Sequence, residues 1–363
     1  MKTIVFSCIL ACLLTVCITG ISGADQTIAY RNTKTIGMGN TRIAGGFDYN
    51  GFIDNPALLS RVKFIRFSVL RLPVTINKDL WDTAKFIDDN QDNFENYDDL
   101  SEEEKVKFLD DLKDYDGKWT RARVSPMIDV AASLGGYGIG FALFQATNAA
   151  LKIDRGVYEP RVWGEGNVYY TGVLGIAKPL SILTPGLTIG ANLKFIQRQN
   201  APLFHIKATD LGNINDTLDP IIEDAKNSKH NTFAIDLGML YDIPFIDSEV
   251  GATIQSIGDG KGSSIDFGFA KRFYDDDLIL LVDYIDFLDN NRENIFRKTH
   301  FGVQYRYEYL VLRTGINSGY PSLGAGLNFR VFDLDFAWFS EELSNAPGVE
   351  DDTRYALQFK FGW

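Results

Sequence analysis

The sequence has 363 residues, with 36 Lys and Arg against 48 Asp and Glu, a formal net charge of −12. That acidic balance excludes nucleic acid as a partner, because holding phosphates requires a basic surface. The only cysteines, Cys8, Cys12 and Cys17, fall at the start, so the rest of the chain has no disulfide framework, thiolate metal site or cysteine nucleophile.

Lys2 precedes an uncharged, mostly apolar run from residue 4 to about residue 18, and then come the small residues Gly20, Ser22, Gly23 and Ala24. This pattern predicts a secretory signal peptide over residues 1–23. No later stretch approaches eighteen consecutive apolar residues, so no helical span is expected. Residues 24–60 show no strand period. They are punctuated by Gly37, Gly39, Asn40, Gly45 and Gly46, and by the turn-forming run Asn55, Pro56, Ala57. Such a segment reads as a compact hatch or plug packed inside something larger, with an ordinary N-terminal loop as the plainer alternative.

From residue 61 to 73 the chain becomes extended, with Val62, Phe64, Ile65, Phe67 and Val69. Residues 79–116 are then crowded with Asp and Glu. Ser101 and Glu104 have capping-box spacing, and Val106, Leu109 and Leu112 follow at helical spacing, which predicts an acidic helical insert. Asp88, Asn90 and Asp92 have the spacing that opens a calcium loop. Asn93 stands at the glycine position of such a loop and Asp99 at its glutamate position, which favours a solvated acidic helix.

From residue 122 onward strand follows strand. Ala122, Val124, Pro126, Ile128, Val130, Ala132 and Leu134 alternate, Gly135 and Gly136 turn the chain, and Tyr137, Ile139, Phe141 and Leu143 answer. A similar run lies at 167–176, and two more lie at 187–195 and 233–241. Between them, residues 197–231 read as a long polar loop with a short helix near 221–226. Further candidates are 249–257, 263–272, 278–288, 298–307, 309–317, 321–330 and 331–340. The chain ends on a ladder in which Tyr355, Leu357, Phe359, Phe361 and Trp363 occupy alternate positions. The total from residue 61 is about fourteen strands, with short connections at one end and long ones at the other, as in outer-membrane barrels. Open sheet edges find no partner in lipid, so a spanning sheet must close. The predicted fold is all-β: a transmembrane antiparallel β-barrel over residues 61–363, with an N-terminal hatch over 24–60 and the helical insert.

Lys194, Asp236, Arg313 and Asp335 fall on the less apolar phase of their strands and are expected to form a charge network in the lumen. Asp283 is a further member, and Asp335 and Asp283 are the expected partners of Arg313. His205, His230 and His300 stand far apart, and no nucleophile elbow, phosphate loop or paired-histidine motif occurs. No enzymatic activity, cofactor or metal is expected.

The stretches at 37–40, 44–46 and 55–57 resemble the N-terminal hatch of the FadL-type outer-membrane transport superfamily. Those at 187–194 and 234–241 resemble its mid-barrel strands. Those at 300–305, 312–316 and 322–327 resemble the final hairpins of its PorV-like and TraF-like relatives. The resemblance extends over essentially the whole chain after residue 23. It implies an outer-membrane location and passive uptake of hydrophobic small molecules such as long-chain fatty acids. The ligand would meet the hatch near Asn55, Pro56 and Ala57 and leave through a lateral gap into the outer leaflet. The terminal ladder resembles the β-signal read by the barrel-assembly machinery, with Trp363 in place of the more usual Phe. The insert is closer to the PorV-like and TraF-like branch, which implies the alternative: a barrel scaffold docking secreted or envelope proteins through its loops.

Overall fold

The computed structural model describes residues 30–45, 49–156, 159–180, 184–207, 214–260, 262–289, 294–343 and 351–363. The expected signal peptide and Gly46 lie outside the described residues.

Fifteen strands among the described residues form one antiparallel sheet closed on itself. They are β1 (Arg66–Asn77), β2 (Trp119–Val124), β3 (Met127–Leu134), β4 (Tyr137–Asp154) and β5 (Arg161–Pro179). Next come β6 (Leu187–Lys207), β7 (His230–Ile243), β8 (Ser248–Ile257), β9 (Ser264–Phe273) and β10 (Leu278–Tyr284). The last are β11 (Thr299–Tyr307), β12 (Leu310–Asn317), β13 (Tyr320–Asn328), β14 (Phe332–Glu342) and β15 (Asp351–Gly362). Apart from β2 and β3, which do not pair with each other, each pairs with its neighbours in chain order, and β15 closes on β1 in a register from Ser68 opposite Gly362 to Asn77 opposite Arg354. β2 and β3 are two halves of one stave: both lie between β1 and β4, at different heights. The break falls at Ser125 and Pro126, where proline supplies no N–H to the ladder. The barrel therefore has fourteen staves.

The alternation sorts side chains to the two faces of the wall. Tyr355, Leu357, Phe359, Phe361 and Trp363 are exposed on the outer face, whereas Ala356 and Gln358 between them are buried. β4 and β7 repeat the pattern, with Ile139, Phe141, Phe233 and Ile235 outward. An apolar outer band of this kind is the lipid-facing surface of an outer-membrane barrel. At the end with short turns, exposed Phe245, Tyr274, Tyr309 and Phe329 add the aromatic residues typical of a membrane interface.

Three expectations are corrected. First, β1 starts at Arg66 and runs through Pro73 to Asn77, while residues 56–61 form a 3-10 turn. Pro73 is tolerated because it sits beside the broken stave, where its carbonyl accepts from Ser125 N at 3.0 Å. Second, the run from 122 to 134 is two strands rather than one. Third, 197–231 is not a long loop. β6 continues to Lys207 and a helix spans Ile214–Asn227. Likewise β4 and β5 extend through most of 148–166. These stave ends carry Asn, Gln and Arg yet keep their ladder, as in Asn148 opposite Asn167 opposite Asn200. Backbone pairing outlasts the apolar alternation there, and the polarity had suggested loop.

The insert forms as three helices, Asp79–Asp89, Gln91–Glu95 and Glu102–Asp111, between β1 and β2. Phe86, Phe94, Tyr97, Phe108 and Leu112 give it an apolar core, closed against Ile153 of β4. The capping box is present: Glu104 N donates to Ser101 Oγ, and the Ser101 N–H and hydroxyl donate back to the Glu104 carboxylate at 2.9 and 2.6 Å. These bonds hold the Glu104 carboxyl below its usual range. Residues 79–116 contain fifteen Asp and Glu against four Lys, a net charge of −11 out of the whole chain's −12.

Candidate functional site

Residues 30–45 and 49–62 lie in the lumen. Without a helical or strand period, the segment is built from short capped turns. Asn32 caps the helix Thr33–Ile36 by accepting from Lys34 N at 3.0 Å. Asn55 caps the 3-10 turn Pro56–Arg61 by accepting from Ala57 N at 3.1 Å. Gly39 and Asn40 are consecutive left-handed residues, with φ of 65° and 63°, a conformation that Gly adopts freely and Asn tolerates.

Inward-facing glycines of the wall make room for this segment. A side chain at Gly190 would meet the backbone of Pro56 and Ala57 at 2.5–2.6 Å, and one at Gly238 would strike the Pro56 ring. Gly39 lies so close to the backbone of Phe301, Gly315 and Ile316 that neither it nor Gly315 has space for a Cβ. Gly37 faces Gly324, with 3.0 Å between an added Cβ and the Gly324 Cα. The Asn55 amide donates to Ile43 O at 2.8 Å and Met239 O of β7 at 3.3 Å, so the Asn55, Pro56, Ala57 run is fixed against β6 and β7. Gly45 N donates to Glu249 of β8 at 2.7 Å.

On the side of β7 to β14, ionic and hydrogen-bonded contacts join apolar packing of Ile36, Met38 and Ala44 on Ala270, Ile279, Leu281, Ala337 and Phe339. Lys34 Nζ lies 2.9 Å from Asp333 and 3.7 Å from Asp335, and Arg313 holds Asp335 at 2.8 Å. Lys194 pairs with Asp236 at 2.5 Å. Asp283 Oδ2 accepts the backbone N–H of Arg42 at 2.6 Å and of Ile43 at 3.0 Å. Glu249 pairs with Arg61 and, at 3.7 Å, with Arg272. The five expected charges therefore do not make one network. Two separate pairs form, Asp283 binds segment backbone, and it does not pair with Arg313. Lys34, Arg42, Glu249 and Asp333 complete the arrangement and were missed. Asp333 shares the face of Asp335, a signal available in the strand phase; Lys34 and Arg42 lie in a segment with no period to read.

On the side of β3 to β5 the contact is apolar. Tyr30, Phe52, Ile53, Leu59 and Val62 pack against Met127, Ala131, Ala142, Phe144, Val173 and Ala177. Tyr30 and Phe144 meet edge to face, with ring centroids 5.7 Å apart. Outside the wall, at the Ser125–Pro126 break, lies a groove of about 440 Å³. Leu70, Ile128, Leu143 and Phe195 form its lipid-facing sides, Gln145, Tyr170 and Gln197 lie at one edge, and Met127 and Phe144 line it from the luminal side. Met127 and Phe144 thus belong to both the groove and the luminal cluster.

The histidines do not converge. His300 Nδ1 is 2.9 Å from Gly39 O, His205 leans on Trp163 at 4.9 Å, and His230 opens β7. The arrangement sets an apolar contact on the β3–β5 side beside a luminal face fixed by ions and hydrogen bonds.

No family model matches the chain, and no curated protein matches its sequence. Solved structures do match. A crystal structure of the toluene transporter TodX of Pseudomonas putida aligns over 90% of this chain and 96% of its own, with TM-score 0.55 and 12% identity. A second structure of the P. putida transporter aligns over 91% and 97%, with TM-score 0.53 and 12% identity. At this identity the likeness is one of fold: the chain folds as the TodX barrel does, in agreement with its FadL-type resemblance, and has the architecture of an outer-membrane barrel.

Proposed function

We propose that the protein carries hydrophobic small molecules, such as long-chain fatty acids, across the outer membrane. They pass between the lumen segment and the β3–β5 wall and leave sideways through the groove at Pro126. The supporting observation is that Met127 and Phe144 line both the luminal apolar cluster and the lipid-facing groove. Parting the segment from this wall breaks dispersion contacts but strands no charge, so an apolar molecule can replace one surface by another at little cost. The charged side cannot do this, because separating a buried ion pair leaves an uncompensated charge.

The test is uptake of palmitate and of toluene into liposomes containing the protein. Phe144→Trp is expected to slow uptake roughly tenfold, which corresponds to about 1.4 kcal/mol on the barrier, and Phe144→Ala to accelerate it. Equal rates in the two variants would sink the lateral path. Absence of protein-dependent uptake, with an envelope protein held on the loops, would turn the reading to the docking scaffold.

A further inference from the structure

The broken stave carries a second feature. β1 and the β2–β3 stave each have a proline at the same height, Pro73 and Pro126. Between Arg71 opposite Met127 and Val74 opposite Val124 the ladder thins to one bond, from Ser125 N to Pro73 O at 3.0 Å, and β1 shifts register between Ser68 and Arg71. Backbone pairing is therefore weak where the groove lies. Across this gap Arg71 Nε donates to Asp129 Oδ2 at 3.4 Å, and both side chains are fully buried. The guanidinium also lies 5.6 Å from the ring centroid of Tyr49 in the lumen segment, and the Lys360 ammonium of β15 lies 5.3 Å from the same ring.

We propose that Arg71 and Asp129 form a latch that holds the seam between β1 and β3 shut, and that Tyr49 controls it. The latch rests on the lateral path proposed above and supplies its regulation. An ion pair is strong only while dry, because water raises the local dielectric and competes for both charges. Tyr49 covers the guanidinium from the lumen. When the segment moves and Tyr49 leaves, water reaches the pair and its attraction falls to that of a surface pair. The seam is then left with the Ser125 N–Pro73 O bond and the backbone pairs from Arg66 to Ser68, since the two prolines have removed two backbone donors. Displacement of the segment by a ligand would in this way open the wall beside the groove.

The experiment uses the full-length protein in liposomes with Met127→Cys as reporter, opposite Arg71 in the seam. Reaction with N-ethylmaleimide is read at residue 127 by mass spectrometry. Arg71→Gln and Asp129→Asn are each expected to speed labelling roughly tenfold, the factor given by a latch worth about 1.4 kcal/mol. The charge-swapped pair Arg71→Asp with Asp129→Arg is expected to restore the parent rate. Tyr49→Ala is expected to speed labelling, and Tyr49→Phe, which keeps the ring, to leave it unchanged. Parent-like labelling in both single variants, with folding verified by heat-modifiable migration on gels, overturns the latch; so does a charge swap that restores nothing. Labelling that responds as expected, with no palmitate or toluene uptake in any variant, supports the latch and removes the transport reading alone.

Discussion

On the β7–β14 side of the lumen, Lys34, Gly45 and the N–H groups of Arg42 and Ile43 are each matched to a particular wall carboxylate. On the β3–β5 side, five apolar side chains of the same segment lie on a wall of Ala, Val, Met and Phe. The first contact is directional, and a shift of an ångström strands charges. The second pairs no charges, and holds by shape and burial alone, with Leu59 and Phe52 seated on Gly138, Gly140 and Gly175. One segment is thus moored along one side and only packed along the other. The packed side is also where the wall is broken and the groove lies. If the segment moves, the expected motion is a hinge about its charged side.

Asp335→Ala would break this comparison most forcefully. It leaves Arg313 and Lys34 buried with an acceptor removed, a change that costs about 3–5 kcal/mol in proteins, read as a lower urea midpoint in micelles. Replacing Lys34, Arg313 and Asp335 together by apolar residues should recover much of that loss; no recovery would mean the ions do more than satisfy one another. Leu59→Ala tests the packed side. Its cost should sit at the low end of core truncations, about 2–3 kcal/mol, since no ion pair holds the segment on that side and it can settle into the space, and uptake should rise. A loss as large as that of Asp335→Ala would erase the distinction between the two sides. Asn55→Ala removes a cap and the bonds to Ile43 O and Met239 O. A cost of about 1–2 kcal/mol is expected, with faster hydrogen exchange in residues 55–62.

The smallest effect should appear far from the lumen. Because Ser101 holds the Glu104 carboxyl below its usual range, that contribution is complete above the unfolded pKa and is lost as pH falls through the lower folded value. Hydrogen-exchange protection in residues 101–111, corrected for the intrinsic rate at each pH, should therefore fall on acidification below about pH 4, and Ser101→Ala should remove that dependence while leaving the lumen segment unchanged.

Much of the wall could be read in the chain. The outward set of β15, the parity of Asp236, Arg313 and Asp335, and the number of staves all follow from a period of two, which depends only on local backbone geometry. Where staves leave the lipid the period carries no hydrophobic contrast, so the ends of β4, β5 and β6 looked like loop. Pro126 sat in the apolar phase of what looked like an unbroken strand. That it splits the stave follows from its neighbours: Pro73 on β1 lies beside it only once the barrel is closed. The glycines of the segment announced turns, but not the close approach of the wall. Gly39 against Gly315, and Pro56 against Gly190 and Gly238, join parts of the chain more than a hundred residues apart.

By itself, then, the sequence determined the strand alternation, the helical insert with its capping box, and the absence of cysteine beyond residue 17, since these need only composition and short-range periodicity. Tertiary structure alone decided that the lumen has a moored side and a packed side, that Met127 and Phe144 stand between the lumen and the lipid-facing groove, and that Arg71 meets Asp129 across a broken seam. The partners in each case come from distant strands or from a segment without a period, and only closure of the barrel fixes which of them meet.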